Sequence, residues 1–170
     1  MTQHNYKRIM IFGIPGSGKS TFAVRLGHSL HLPVYHLDKY FYVRNWQERE
    51  TEDFLRIQKE LVEKETWIID GNSTKTLDIR FSRADLVLYF RYNRLLCLWR
   101  IFKRLIFKDH RISDRAEGCK GKAAFRLIRY LWGFDKRVQG KIQQFRKKSP
   151  QTTFYELRNS RDLKRFEGMR

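Results

Sequence analysis

Sulfur is scarce in this chain of 170 residues. Its two cysteines, Cys97 and Cys119, allow one disulfide at most, which excludes a disulfide-stapled scaffold. Neither has a His or a second Cys at metal-ligand spacing, so the expectation is two free thiols in a reducing, cytoplasmic compartment. Of the histidines (His4, His28, His31, His36 and His110), only His28 and His31, across a helix end, approach ligand spacing, and no structural metal is expected. Long apolar runs are missing too. Residues 95–107 come closest but carry Arg100, Lys103 and Arg104, and the run 9–14 is short and interrupted by Gly13. Neither a membrane span nor a signal-peptide core is expected. There is no low-complexity tract and no internal repeat, and the length suits one domain. Acidic residues are half as many as basic ones, 18 against 36, for a net charge of +18.

The remaining composition is that of a folded protein. Hydrophobic residues make up 41% of the chain, with 13 Phe, 8 Tyr and 4 Trp, enough for a core and too much for wholesale disorder. The positive charge is lopsided. Residues 1–85 hold 13 basic and 11 acidic side chains, net +2, whereas residues 86–170 hold 23 and 7, net +16. Such a surface fits an anionic partner: a nucleotide, a nucleic acid or a lipid headgroup layer.

Short apolar runs alternate with amphipathic stretches. Strands are expected at 6–12, 34–37, 66–70, 85–90 and 152–157. Helices are expected at 18–30, 49–65, 77–81, 93–107, 123–132, 135–148 and 162–166, with a polar loop at 108–122. Strands alternating with helices imply an α/β fold with a parallel sheet, and such sheets bind ligands at the carboxyl ends of their strands. The aromatics Phe102, Phe107, Phe125, Trp132 and Phe134 recur at helical spacing and are expected in the core.

Chemistry-bearing residues fall at those strand ends. Gly13-Ile14-Pro15-Gly16-Ser17-Gly18-Lys19-Ser20 follows a strand and opens a helix, and it fits G-x4-G-K-[ST]. Glycines at 13, 16 and 18 let backbone N–H groups turn toward one anion, and the helix start adds its positive dipole end. Lys19 is expected to reach the β- and γ-phosphates of a nucleoside triphosphate. The Ser20 hydroxyl is expected on Mg²⁺, with Ser17 in the loop and Thr21 beside the α-phosphate. Asp70, at the end of the third strand, is either an Mg²⁺ ligand or an acidic turn residue before Gly71. Asp38, after the second strand, either orients an acceptor hydroxyl and takes its proton or caps the segment beginning at Lys39. His36 reads as a strand residue near the site rather than a base.

These residues carry a resemblance. G-x-P-G-S-G-K-S-T (13–21), VYHLD (34–38) and WIIDGN (67–72) resemble the nucleoside monophosphate kinase group of P-loop proteins, which includes adenylate, shikimate and gluconate kinases. With TLDIRFSRAD (76–85), LCLWRIFKR (96–104), EGC (117–119) and residues 132–136, the chain is most similar to a bacterial branch, the DNA topology modulation protein family. The resemblance implies a three-layer fold with a five-stranded parallel sheet of order 2-3-1-4-5. It also implies ATP with Mg²⁺ as phosphoryl donor and a lid at 108–122. Arg100 and Arg104 match the R-x-x-x-R pair that such kinases use on the donor nucleotide. Arg111 and Arg115 fall in the lid, where arginines stabilise the transferring phosphoryl group.

One departure stands out. The group's Asp-Gly-aromatic-Pro-Arg after the third strand is here Asp70-Gly71-Asn72-Ser73-Thr74, which speaks against a nucleoside monophosphate acceptor unless Lys75, Arg80 or Arg44 substitutes for the missing arginine. The expected function is transfer of the ATP γ-phosphoryl group to a small acceptor between Asp38 and residues 44–46. The rival is a nucleic-acid-binding topology modulator with nucleotide as a switch or relic. It would use the basic second half, with Lys141, Arg146, Lys147 and Lys148 at one helix end and Arg126 and Arg129 on the preceding helix. The acceptor, ATP over GTP and the oligomeric state are left open by the sequence, because residues 158–160, expected near the base, carry no decisive signature.

Overall fold

The computed structural model describes residues 6–43, 47–106 and 129–169. Five strands, β1 (Arg8–Gly13), β2 (Val34–His36), β3 (Trp67–Asp70), β4 (Leu86–Phe90) and β5 (Thr153–Leu157), form one sheet in the order β2-β3-β1-β4-β5. Every pairing is parallel. Class, strand number and strand order are as expected. The helices are α1 (Lys19–Leu30), α2 (Leu37–Phe41), α3 (Thr51–Glu63), α4 (Leu77–Phe81), α5 (Arg94–Ile106), α6 (Phe134–Lys148) and α7 (Ser160–Gly168). Residues 129–132 form a helical turn ahead of α6. The expected loop at 108–122 and the rest of the helix expected at 123–132 lie outside the described residues.

Apart from Arg8 and Asp70 at their ends, the central strands β1, β3 and β4 are apolar because both faces are covered. Every residue of β3 and β4 is buried, and so are five of the six in β1. Tyr89 and Phe90 are neighbours in β4 and therefore project to opposite faces. Tyr89 stacks on Phe12 at 4.8 Å, and Phe12 meets Phe81 of α4 edge-on at 5.6 Å. Phe81 in turn stacks on Phe145 of α6 at 3.8 Å. Phe90 meets Phe22 of α1 at 5.5 Å, and Phe22 meets Phe166 of α7 at 6.3 Å. Two aromatic chains, one per face, thus make the three layers.

The expected bounds shift at several ends. β2 stops at His36, and Leu37–Phe41 is a helix the sequence pattern missed. Five residues are too few to show a period. Asp38 lies inside the first turn of that helix and His36 is its N-cap, so the capping reading of Asp38 is wrong. The last helix runs past the expected 162–166 at both ends, and its earlier start at Ser160 is set by the Asn159 side chain, which accepts the N–H groups of Arg161 and Asp162. Asn93 starts α5 in the same way, accepting from Leu95 and Leu96.

The helical spacing also misled on two aromatics. Phe134 is fully buried, but Phe102 is 61% and Trp132 56% exposed. The buried side of α5 is set by Cys97 and Ile101, four residues apart, and Phe102 lies about 100° round the helix from Ile101.

Candidate functional site

β1 lies between β3 and β4, and the chain leaves it toward β2 but later returns on the far side to β4. That reversal opens a crevice at the carboxyl ends of the strands. Gly13, Asp70 and Phe90 end the three strands that border it.

The loop from Gly13 to Ser20 is shaped by its glycines. Gly13 has φ 141°, and a Cβ there would lie 2.2 Å from the Phe90 carbonyl oxygen. Gly16 has φ 81°, and a Cβ there would lie 2.5 Å from the Cys97 carbonyl oxygen. A side chain at either position would drive the loop off β4 or α5. Ile14 N–H donates to Phe90 O at 2.9 Å, which pins the loop to β4. Gly18 is the left-handed N-cap of α1, and the first helical bond runs from Phe22 N–H to Gly18 O at 3.0 Å. The first-turn amides of Lys19, Ser20 and Thr21 therefore have no carbonyl one turn behind them. The loop presents N–H groups, and the α1 dipole adds to their positive potential.

Lys19 is buried at 8% exposure, and its Nζ donates to Ile14 O at 3.0 Å within its own loop. Burial pulls its pKa below the ordinary lysine value, against the opposing charges of Asp70 and Asp38. Ser17 is buried and its hydroxyl has no hydrogen-bond partner. Ser20 is half-buried and Thr21 exposed. Arg100 of α5 reaches the loop, with Nη1 3.3 Å from Ser17 O and its guanidinium 5.6 Å over the Tyr92 ring. Arg104, one turn on, is exposed and close enough for its charge to oppose that of Lys19. The expected donor-side cluster of loop, Lys19, Arg100 and Arg104 is thus brought together. Arg111, Arg115, Cys119 and residues 44–46 lie outside the described residues.

Asp70 is buried at 4% exposure. Its Oδ2 lies 3.1 Å from His36 Nδ1, while its Oδ1 is buried without a partner. The β2–β3 register sets His36 directly beside Asp70. This pair was not read from the sequence, because 33 residues separate its members and only strand register joins them. Asp38 is exposed on α2, and its charge is felt at Lys19, Arg80 and Tyr130.

The loop after β3 corrects one expectation. Arg80 is fully buried and does not face an acceptor. Its Nη1 donates to Gly71 O at 2.9 Å and its Nη2 to Ser73 O at 3.0 Å. Burial lowers its pKa to about 10. Lys75 is exposed. Asn72 joins the two loops, its Oδ1 accepting Gly13 N–H at 3.0 Å. Tyr130, whose pKa burial raises to about 12, donates its hydroxyl to Asn72 O at 2.9 Å.

Among solved structures, the chain is similar to shikimate kinase from Bacteroides thetaiotaomicron, with a TM-score of 0.57 and 13% identity over 96% of this chain and 98% of that one. It is also similar to shikimate kinase from Acinetobacter baumannii in complex with shikimate, with a TM-score of 0.55 and 13% identity over 96% and 92% of the two chains. The fold is that of the P-loop kinases. No protein-family model and no curated protein sequence matches the chain. The likeness is therefore one of fold, and P-loop chemistry has to be argued from this chain's own residues.

Those residues suit Mg²⁺. Asp70 Oδ1 is an unpartnered carboxylate oxygen, and Ser20, half-buried at the start of α1, carries a hydroxyl; both are hard oxygen donors. No group of three or more His, Cys, Asp or Glu gathers among the described residues. Mg²⁺ does not need one, since it takes one or two protein oxygens and completes its shell from phosphates and water. No helix among the described residues is long and apolar enough to cross a membrane.

Proposed function

We propose that the protein is a cytoplasmic, ATP- and Mg²⁺-dependent P-loop kinase that phosphorylates a hydroxyl of a small acceptor. One observation carries the reading. A buried lysine, a glycine loop leading into the unmatched first-turn amides of α1, an unpartnered carboxylate oxygen and an arginine from α5 meet at one strand-end crevice. Outside a phosphate site such an arrangement is costly, because it leaves the buried Asp70 Oδ1 and the Ser17 hydroxyl without partners.

In this reading the loop from Gly13 to Ser20, with Gly16, Ser17 and Gly18, cradles the phosphates, and Thr21 lies beside the α-phosphate. Lys19 leaves Ile14 O and moves onto the β- and γ-phosphates. Arg100 and Arg104 hold the donor from the α5 side. Ser20 and Asp70 would hold Mg²⁺, which would neutralise the charge that develops on the phosphates. Asp38 orients the acceptor hydroxyl and takes its proton. The acceptor oxygen forms its bond to the γ-phosphorus as the bond to the ADP oxygen breaks. Arg115, with the proposed lid at 108–122 of this single domain, completes the charge stabilisation on closure. Catalysis is positioning and electrostatics rather than covalent chemistry.

The test is ADP release with ATP, Mg²⁺ and a panel of nucleosides, nucleotides and small metabolites. Lys19→Ala is expected to lower turnover about 100-fold or more while leaving the thermal transition in place. Wild-type turnover in that variant removes the assignment.

A second reading, direct nucleic-acid binding, rests on the concentration of positive charge in residues 86–170, net +16. Arg146, Lys147 and Lys148 are exposed on the last turn of α6. That helix leads into β5, so its end lies at the amino edge of the sheet, away from the crevice. Lys141, by contrast, donates to Thr74 O at 2.8 Å. This reading predicts duplex affinity that falls steeply with salt and is weakened by Lys147→Ala and Lys148→Ala. Absence of binding to a duplex at low salt ends it.

A further inference from the structure

We infer that His36 is a positioning residue that holds the Asp70 carboxylate open for a metal–nucleotide complex, an inference that rests on the phosphoryl-transfer reading above. His36 lies beside Asp70 across the β2–β3 register, with side-chain exposures of 10% and 5%. The contact is 3.1 Å, from Nδ1 to Oδ2. An ionised carboxylate only accepts, so the proton in this bond belongs to Nδ1.

The bond divides the work of the two Asp70 oxygens. Oδ2 is clamped by the imidazole, and Oδ1 is buried with no partner. A pair serving structure alone would have no reason to leave that oxygen bare, because an unmet buried acceptor is costly. Carboxylates that hold metals are oriented in this way by a hydrogen bond to the oxygen facing away from the ion.

A second observation points the same way. The negative charge of Asp70 is felt at Lys19, yet no ion pair within 4.0 Å joins the two. Lys19 Nζ rests on Ile14 O, and Asp70 rests on His36. Without the imidazole, the carboxylate is free to turn toward the nearest cation and close the crevice on itself. His36 therefore keeps the anion for the metal and the cation for the phosphates.

The test uses the full-length protein with Mn²⁺ as the metal probe, in the presence of a non-hydrolysable ATP analogue. Mn²⁺ affinity is read by electron paramagnetic resonance, independently of turnover. His36→Ala is expected to weaken Mn²⁺ binding about 10- to 100-fold. His36→Asn, whose amide N–H sits near the Nδ1 position, is expected to recover most of that loss. Analogue affinity in EDTA is expected to change less than about twofold, since Lys19 and the loop are untouched. Unchanged Mn²⁺ affinity in His36→Ala overturns the inference, as does equal impairment of the Ala and Asn variants. A wild-type protein that binds the analogue but takes up no Mn²⁺ with it overturns the inference alone. One that binds neither overturns the kinase reading as well. In the wild type, ¹⁵N spectra of the His36 ring are expected to show the proton on Nδ1. A proton on Nε2 alone rejects the assignment even if the variants fail to fold.

Discussion

Two loops leave the carboxyl edge of the sheet side by side, and they are built on opposite plans. The loop after β1 is held chiefly by its own backbone and by close approach, with Asn72 and Arg100 reaching it from elsewhere in the chain. Its glycines lie against Phe90 and Cys97, and its polar surface is a set of N–H donors. The loop after β3 is held from outside by side chains distant in sequence. Its carbonyls at Gly71, Asn72, Ser73 and Thr74 accept from Arg80, Tyr130, Arg80 and Lys141 in turn. Thr76 at its end donates to the buried Gln58 of α3 at 2.9 Å. One loop therefore offers donors to a ligand, while the other has its acceptors already met. Neighbouring turns of similar length can differ wholly in what they present, according to where their backbone groups find partners.

That contrast can be broken at its strongest point first. Replacing Arg80 with Met strips two donors from the second loop inside the protein, and a loss of about 4 kcal/mol is expected. The first loop should suffer only through Asn72, so calorimetry is expected to show a large drop in Tm with nucleotide binding retained below it. Gly13→Ala attacks the first loop through shape. With a Cβ 2.2 Å from Phe90 O and φ 141°, it is expected to cost about 3 kcal/mol and to abolish nucleotide binding measured by calorimetric titration. Retained nucleotide affinity in Gly13→Ala would contradict the view that this loop works by backbone geometry.

A site outside both loops serves as a control. Burial works to raise the carboxyl of Asp135, but hydrogen bonds from Arg94 and Tyr89 and the charge of Arg91 hold it below its usual value. Its contribution to stability is present in full above the usual carboxylate range and is lost as pH falls through the lowered value. Asp135→Asn is expected to cost about 2 kcal/mol at neutral pH. In thermal melts between pH 7 and 3, the gap from wild type is expected to close on the acid side. The smallest effect is expected from Tyr130→Phe, which removes one donor from Asn72 O and costs about 1 kcal/mol. Chemical denaturation with both loops probed would show whether that change stays within the second loop.

The first loop was legible because its information is local. A strand, three glycines, a lysine and a helix start lie within 14 consecutive residues, Ile9 to Phe22, and each piece requires the next. The sheet was legible for a similar reason. Runs such as Leu86–Phe90 are apolar without alternation, which suits strands covered on both faces. The second loop was not legible. Arg80 and Lys75 are both basic residues near a strand end, and nothing in their spacing tells the buried anchor from the exposed one. Asn159 was read as a residue near the base, but its side chain caps a helix, a role common to many asparagines. Phe102 and Trp132 kept a helical period with other aromatics, but a period gives no sign of which face meets the core.

From composition and order alone came the α/β class, the parallel sheet, the phosphate-type loop with Lys19 and Ser20, and the concentration of charge in the second half. These follow from short-range rules: periodicity, glycine freedom and helix starts act within one or two turns of chain. The fold itself settled which charges meet. His36 reached Asp70 through strand register, Arg100 reached Ser17 from a helix 83 residues away, and Arg80 was drawn inside to meet two backbone carbonyls, those of Gly71 and Ser73. Such meetings depend on how layers pack and which donor lies nearest an unmet carbonyl, and those are properties of distance in space rather than along the chain.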